Sequence, residues 1–285
     1  METKQNYALH TVALSALFLL GDALIDIPLP SADDKTFLCF LASVVITVIL
    51  FLISYYISGL VFSLKKHLKI YKASASVVSL FILSAAAVTL ARFVKFAKTV
   101  ILPDVNIFAL AALFLTVLLF LIFSKEKTLL KYSLLSFIIA AVIIIFFFIL
   151  SLSDLTPQNI FIFNVPGLKQ LFRGTYPYVL RIALPVCILP FYLRGVLEGK
   201  YKKEMLIGVS GGCGLAALVL LNSVMLFGAE LAGKFDYPYS AAISTISVGY
   251  LFSRMDGFSY FLGFACTLVR IGVCITTVKS LFKKS

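Results

Sequence analysis

Residues 36–63 read Thr36-Phe-Leu-Cys-Phe-Leu-Ala-Ser-Val-Val-Ile-Thr-Val-Ile-Leu-Phe-Leu-Ile-Ser-Tyr-Tyr-Ile-Ser-Gly-Leu-Val-Phe-Ser63. No charge interrupts these 28 residues. About 20 apolar residues suffice to carry a helix across the hydrocarbon of a bilayer. In lipid a helix satisfies all its own backbone groups, so this run predicts a membrane-spanning helix.

Similar runs occur at 7–29, 71–94, 105–123, 129–152, 176–193, 204–229, 238–252 and 257–280. Together they predict an all-α polytopic membrane protein of about nine spans, with residues 1–285 forming a single integral membrane domain. The run at 238–252 is short and carries Ser240, Ser244, Thr245, Ser247 and Gly249, which fits a tilted, re-entrant or broken span. The first run is interrupted by Gly21-Asp22 and ends at Pro28 and Pro30, with no cleavage-like site behind it, so it reads as a span and not a signal peptide.

Composition agrees. The chain is 61% hydrophobic and 13% charged, against about 25% charged in a soluble domain. Mean hydropathy is +1.05. The net charge of +12 sits in short clusters between apolar runs, a topology signal; no basic patch interleaves with aromatics as in a nucleic-acid interface. Lys65, Lys66, Lys69 and Lys72, then Lys125, Lys127 and Lys131, then Arg194, Lys200, Lys202 and Lys203, then Arg254 fall on one side if every run crosses once. The other side holds Asp33, Asp34, Asp154, Glu230 and Asp236. This places the basic loops and the N-terminus in the cytoplasm.

Two clusters resist that assignment. Arg92, Lys95 and Lys98 fall in a loop on the outer side, and share one face if helical. The tail from Lys279 to Lys284 also falls outside. Either the tail breaks the rule, or one run does not span, or a last helix is missing.

Chemistry-bearing features are few. Cys39, Cys187, Cys213, Cys266 and Cys274 form no CxxC pair and read as packing residues. His10 and His67 lie on different segments. No metal set, Ser/His/Asp arrangement or carboxylate pair is visible, so neither an enzyme nor a cofactor is expected. What remains is polar groups inside apolar runs, which are costly in lipid and point to function. Gly21 and Asp22 interrupt the first run; this fits a helix broken at mid-membrane, where freed N–H and C=O groups hold a ligand, or a kink with Asp22 near the outer surface. Arg181, in Tyr178-Val-Leu-Arg181-Ile-Ala-Leu-Pro185, either pairs with Asp22, holds a ligand carboxylate, or snorkels to the outer headgroups. Pro185 and Pro190 predict a broken sixth helix. Gly208 and Gly212 have the small-xxx-small spacing of close helix contact. Ser240, Ser244 and Ser247 share a helical face that suits a cavity wall or a helix contact. The stretch 153–176 mixes Asp154, Pro157, Asn159, Asn164, Pro166, Gly167 and Gly174 with Ile160-Phe161-Ile162-Phe163, suggesting a half-buried outer gate or an interfacial helix.

Phe227-Gly-Ala-Glu230, Tyr237-Pro238, Ile246-Ser247 and Arg254-Met-Asp256 occur in an order that resembles the B-subunit permeases of spore germinant receptors. Leu20-Gly21 with Ile27-Pro28, Leu102-Pro103, and Asn159 to Gly167 are similar to further, weaker signatures of that family. The resemblance implies the amino acid–polyamine–organocation superfamily: ten helices in two inverted repeats, with helices one and six broken around a central site. It implies a receptor subunit in the inner spore membrane that binds a small nutrient, often an amino acid, beside A and C type subunits; a secondary amino-acid transporter is the alternative. Gly21, Asp22, Tyr178 and Arg181 then lie at the two expected breaks, and Thr89, Ser244 and Ser247 on flanking helices. The sequence departs from the pattern at Leu102-Pro103-Asp104-Val105, where the usual TP is lacking, and in ending after a ninth span, with the tenth helix absent.

Overall fold

The computed structural model describes residues 4–26, 36–100, 102–123, 126–156, 167–245 and 256–282. Within these ranges the side chains of residues 4, 5, 22, 26, 66, 68, 118, 120–123, 126, 127 and 256 fall outside the description. Every regular element among the described residues is helical. In order these are α1 (Lys4–Asp26), α2 (Thr36–Ser63), a 3₁₀ turn (Leu64–Lys66), α3 (Leu68–Val100), α4 (Ile107–Phe123) and α5 (Glu126–Ser151). Then follow α6 (Leu168–Tyr178), a π turn (Val179–Ala183), α7 (Leu184–Val186), α8 (Leu189–Gly195), α9 (Lys202–Ala232), α10 (Pro238–Thr245) and α11 (Asp256–Phe282).

Seven segments are long and apolar enough to cross a membrane: Asn6–Ile25, Thr36–Ser63, Lys69–Val100, Thr128–Ser151, Leu168–Gly195, Lys202–Ala232 and Gly257–Phe282. The protein is a multi-pass helical membrane protein. Helix α4 has 17 residues, about 26 Å at 1.5 Å per residue, a little short of the hydrocarbon thickness. It nevertheless runs the length of the bundle, because α3 and α5 meet other helices at opposite ends, as the contacts below show.

Layering follows from where the apolar residues lie around each helix. Helices α1 and α11 form the interior, with 76% and 72% of their apolar windows enclosed. Helix α5 is only 28% enclosed and turns Leu135, Val142 and Phe146 outward. Together with Val77 and Leu80 of α3 and Phe108 of α4, these side chains form an apolar outer surface that suits lipid.

Three contacts set the register of the central pair. The Phe18 ring lies under the Arg270 guanidinium, Gly21 packs on Cys266, and Ile25 on Gly263. Rising numbers on α1 meet falling numbers on α11, so the two helices are antiparallel. Phe93 of α3, Phe114 of α4 and Tyr260 and Phe264 of α11 interlock, with ring centroids 4.9–6.0 Å apart. Such offset and edge-on pairs stabilise beyond the area they bury.

Helix α1 meets α9 through the predicted glycines. A Cβ on Gly208 would sit 2.3 Å from the Val12 carbonyl oxygen, and one on Gly212 2.7 Å from that of Ala16. Gly211 and Gly214 have nothing within 4 Å. The spacing of four therefore picks out the contact face, and the backbones approach as in other small-xxx-small pairs. Cys39, Cys213, Cys266 and Cys274 are buried free thiols, as expected of packing residues.

The two ends of the bundle are chemically distinct. At one end Tyr7 stacks on Tyr201, Tyr71 hydrogen-bonds the Leu281 carbonyl, Gly195 lies against Ser280 and Phe62, and Ser133 reaches the His10 carbonyl. This end gathers the start of α1, the α2–α3 and α8–α9 junctions, the start of α5 and the end of α11. It carries Lys65, Lys69, Lys72, Arg194, Lys200, Lys202, Lys203 and Lys279. At the other end Thr175 reaches the Cys39 carbonyl, Phe96 packs on Tyr237, and Thr156 binds the Met225 carbonyl.

Several expectations change. Of the predicted span 238–252, residues 238–245 form the eight-residue α10, about 12 Å long, which begins at the end opposite the basic cluster. Residues 246–255, including Ser247, Gly249 and Arg254, lie outside the described residues. Both α10 and α11 begin at the end opposite the basic cluster, so the Lys279 end of α11 joins the basic end instead of opposing it. Of the three explanations for the basic tail, a run that does not span is the one realised.

The first helix is not broken either: α1 continues through Gly21, which lets α1 settle on Cys266, with only 3.1 Å from the would-be Cβ to the Cys266 Cβ. Arg92, Lys95 and Lys98 belong to α3 and not to a loop; Phe93, Phe96 and Ala97 face inward beside them, so the last turns of α3 are amphipathic. Of the stretch 153–176, residues 168–176 open the amphipathic α6, which exposes Leu168, Phe172 and Tyr176 and buries Gly174 and Thr175. Residues 157–166 lie outside the described residues.

Candidate functional site

The sixth pass is the irregular one. Proline has no N–H, so Pro185 and Pro190 cannot close helical bonds to the carbonyls of Arg181 and Val186. The chain answers with a π turn over Val179–Ala183, a short α7, and a 3₁₀-like turn at Cys187 and Ile188, whose N–H groups reach the Leu184 and Pro185 carbonyls, before α8; the backbone stays in the right-handed helical region. At the position of the predicted break the helical hydrogen bonding is distorted, while the helix itself continues. The Phe191 N–H turns to the Ile188 carbonyl at 3.1 Å, which leaves the Cys187 carbonyl without its helical donor. Ser54 of α2 supplies one, its Oγ donating across 2.6 Å. A π bulge of this kind frequently marks a functional position.

Tyr178 and Arg181 flank this irregularity. Tyr178 is fully buried, its ring edge-on to Phe40 with centroids 5.6 Å apart. Its hydroxyl has no hydrogen-bond partner among the described residues. Arg181 lies within the π turn and is half-buried. Helix α2 carries the segment: a Cβ at Gly174 would meet the Cys39 Sγ at 2.6 Å, and the Thr175 hydroxyl donates to the Cys39 carbonyl at 3.3 Å.

A cleft of ≈ 240 Å³ opens at the end away from the basic cluster. Val100, Phe235, Asp236, Tyr237, Ser240 and Ser244 line it, giving a small mouth with one carboxylate and three hydroxyls. The Ser244 hydroxyl donates to the Ala241 carbonyl at 2.8 Å. The chain reaches this mouth through a second irregularity. Gly228 sits at φ 76° and ψ 156°, so α9 kinks there. The Met225 carbonyl is taken instead by the Thr156 N–H and hydroxyl, at 3.2 and 2.8 Å.

The predicted site residues do not converge on one cavity. Ser244 lines the cleft. Tyr178 and Arg181 share the irregular pass. Gly21 is a packing position whose backbone stays helical. Thr89 is buried in α3 with its hydroxyl committed to the Ala85 carbonyl at 2.8 Å. The Asp22 side chain and all of Ser247 lie outside the described residues.

Two polar residues deep in the bundle escaped the sequence reading. Arg270, in the middle of α11, is 2% exposed and holds its guanidinium 5.2 Å over the Phe18 ring. Asn222 of α9 is buried and accepts a hydrogen bond from Ser151 at 2.7 Å. The signal for Arg270 was in the sequence: a lone cation inside an apolar run is a functional candidate in its own right.

No family model, no curated protein and no solved structure matches this chain.

Proposed function

We propose that this protein is the membrane subunit of a spore germinant receptor. It binds a small nutrient, an amino acid or similar, and signals to A and C type subunits in the inner spore membrane, with its N-terminus cytoplasmic. The observation that carries this reading is the irregular sixth pass, where a π turn, Pro185 and Pro190 disturb the helical hydrogen bonding around the half-buried Arg181. The family resemblance implies a broken sixth helix at this point. A guanidinium there suits a carboxylate, which it can grip through two parallel hydrogen bonds. Because α1 is continuous at Gly21, ligand contacts are assigned to the sixth pass.

The mechanism is a population shift: the nutrient binds one arrangement of the irregular helix more tightly and so favours it. A secondary amino-acid transporter of the same superfamily is the second reading, since a broken helix at mid-membrane serves transport equally well.

The test is a thermal-shift screen of amino acids on the purified protein, with flux measured in proteoliposomes. Receptor function predicts a carboxylate-dependent rise in Tm that Arg181→Gln removes, without net flux. Flux driven by an ion gradient selects the transporter. A shift that survives Arg181→Gln moves the ligand away from the sixth pass.

A further inference from the structure

The basic end contains an arrangement that the nutrient-binding reading does not use. The Arg194 guanidinium lies 4.4 Å from the centroid of the Tyr55 ring, and the Lys202 ammonium 4.2 Å from the same centroid. Lys202 also lies 5.9 Å from the Tyr56 ring. Two cations thus share one aromatic ring, although like charges at short range repel.

The fold holds them there deliberately. Gly59 leaves the space that the guanidinium fills: a Cβ there would sit 2.8 Å from an Arg194 terminal nitrogen. The chain between the two cations reverses tightly, with Glu198 at φ 52° and Tyr201 at φ 68°, left-handed conformations that cost free energy outside glycine. Tyr201 is then fixed by its stack on Tyr7.

Among the described residues no protein anion neutralises the pair. Glu198 is taken by Lys200 at 2.7 Å, a partner that holds its carboxyl below the usual range. Glu204 makes no ion pair with Arg194 or Lys202 among the described residues. The Arg194 Nε is buried without a hydrogen-bond partner.

The surroundings indicate what kind of anion fits. Tyr56 and Leu60 beside the ring are exposed, and Ile49, Ile53 and Ile57 continue the same outward apolar strip along α2. An acyl chain can lie along this strip with its headgroup at the cations. A soluble anion has no use for it.

We infer that Arg194 and Lys202, paired on the Tyr55 ring, bind the phosphodiester of an anionic phospholipid from the leaflet at the basic end. The lipid would join α2, α8 and α9 at the exit of the irregular pass.

The experiment is native mass spectrometry of the full chain from detergent, titrated with phosphatidylglycerol, phosphatidylcholine or inorganic phosphate. The wild type should retain phosphatidylglycerol in preference to phosphatidylcholine, and inorganic phosphate should not displace it. Arg194→Gln with Lys202→Gln should weaken retention about thirty-fold, or about 2 kcal/mol at 1.4 kcal/mol per decade. The neighbouring exposed Lys203→Gln should leave it unchanged. Three results overturn the proposal: no preference between the two lipids, displacement by inorganic phosphate, or an equal loss in Lys203→Gln and Lys202→Gln. If the double variant fails to fold, the wild-type lipid preference and the two single lysine variants decide the question alone.

Discussion

The Tyr71 hydroxyl donates to the Leu281 carbonyl across 2.8 Å, and the two residues are separated by 210 positions in the chain. This bond ties the last turn of α11 to the first turns of α3. Gly195 lies against Ser280 one residue away. The end of the last pass is therefore enclosed by the basic junctions, and Lys279 belongs with Lys65, Lys69 and Lys72. The beginning of α1 and the end of α11 therefore share one end of the bundle.

The first prediction concerns topology. Reporters fused after residue 285 and before residue 1 should report the same compartment, with a C-terminal fluorescent protein bright and a C-terminal phosphatase inactive. An active phosphatase at the C-terminus would restore the nine-pass count.

The α1–α9 contact makes a second prediction, which compares glycines on one helix. Gly208→Ala and Gly212→Ala drive a methyl into the backbone of α1 and should each destabilise by about 1–3 kcal/mol. Gly211→Ala and Gly214→Ala meet open space, and should be neutral or gain up to about 1 kcal/mol from helix propensity. Unfolding in a denaturing detergent series reads all four. Equal effects at the four positions would refute the contact.

Ser54→Ala leaves the Cys187 carbonyl without a donor in an apolar interior. A loss of about 1–2 kcal/mol is expected, in keeping with interhelical hydrogen bonds in membranes. Ser63→Ala is the control, because Ser63 bonds only the Leu60 carbonyl of its own helix and is exposed. If Ser54→Ala matches the control in thermal unfolding, Ser54 does not support the irregular pass.

A fourth prediction tests the kink in α9. Gly228 adopts φ 76° and ψ 156°, a region essentially closed to residues with a Cβ. Gly228→Ala should destabilise by about 1–3 kcal/mol through backbone strain. Thr156→Ala, which removes one of the two donors to the Met225 carbonyl, should cost less. A neutral Gly228→Ala in the same unfolding assay would mean that the kink is not required.

Spans with strong apolar runs were legible because the bilayer imposes a length and a composition that local sequence records directly. Residues 36–63 are the clearest case, and α2 has those same limits. The glycine pair at 208 and 212 was legible for a similar reason, since a spacing of four sets a helical face. The irregularity near Pro185 follows from a missing N–H and needs no tertiary information. The misreadings arose where local composition and global packing conflict. Gly21-Asp22 resembles a break, yet the helix continues because Gly21 is needed for contact with Cys266. The run 238–252 is apolar enough on paper, yet only residues 238–245 of it form a described helix.

By itself the sequence determined the solvent of this protein, its helical class, the limits of its strongest spans and the place where the sixth pass becomes irregular. Each of these depends on backbone hydrogen bonding and transfer free energy over a few consecutive residues. Only the tertiary structure decided that α10 and α11 begin at the same end, which end receives the basic tail, that Arg270 lies over Phe18, and that Arg194 and Lys202 meet on Tyr55. Those depend on contacts between residues far apart in the chain, and no window of local sequence contains both partners.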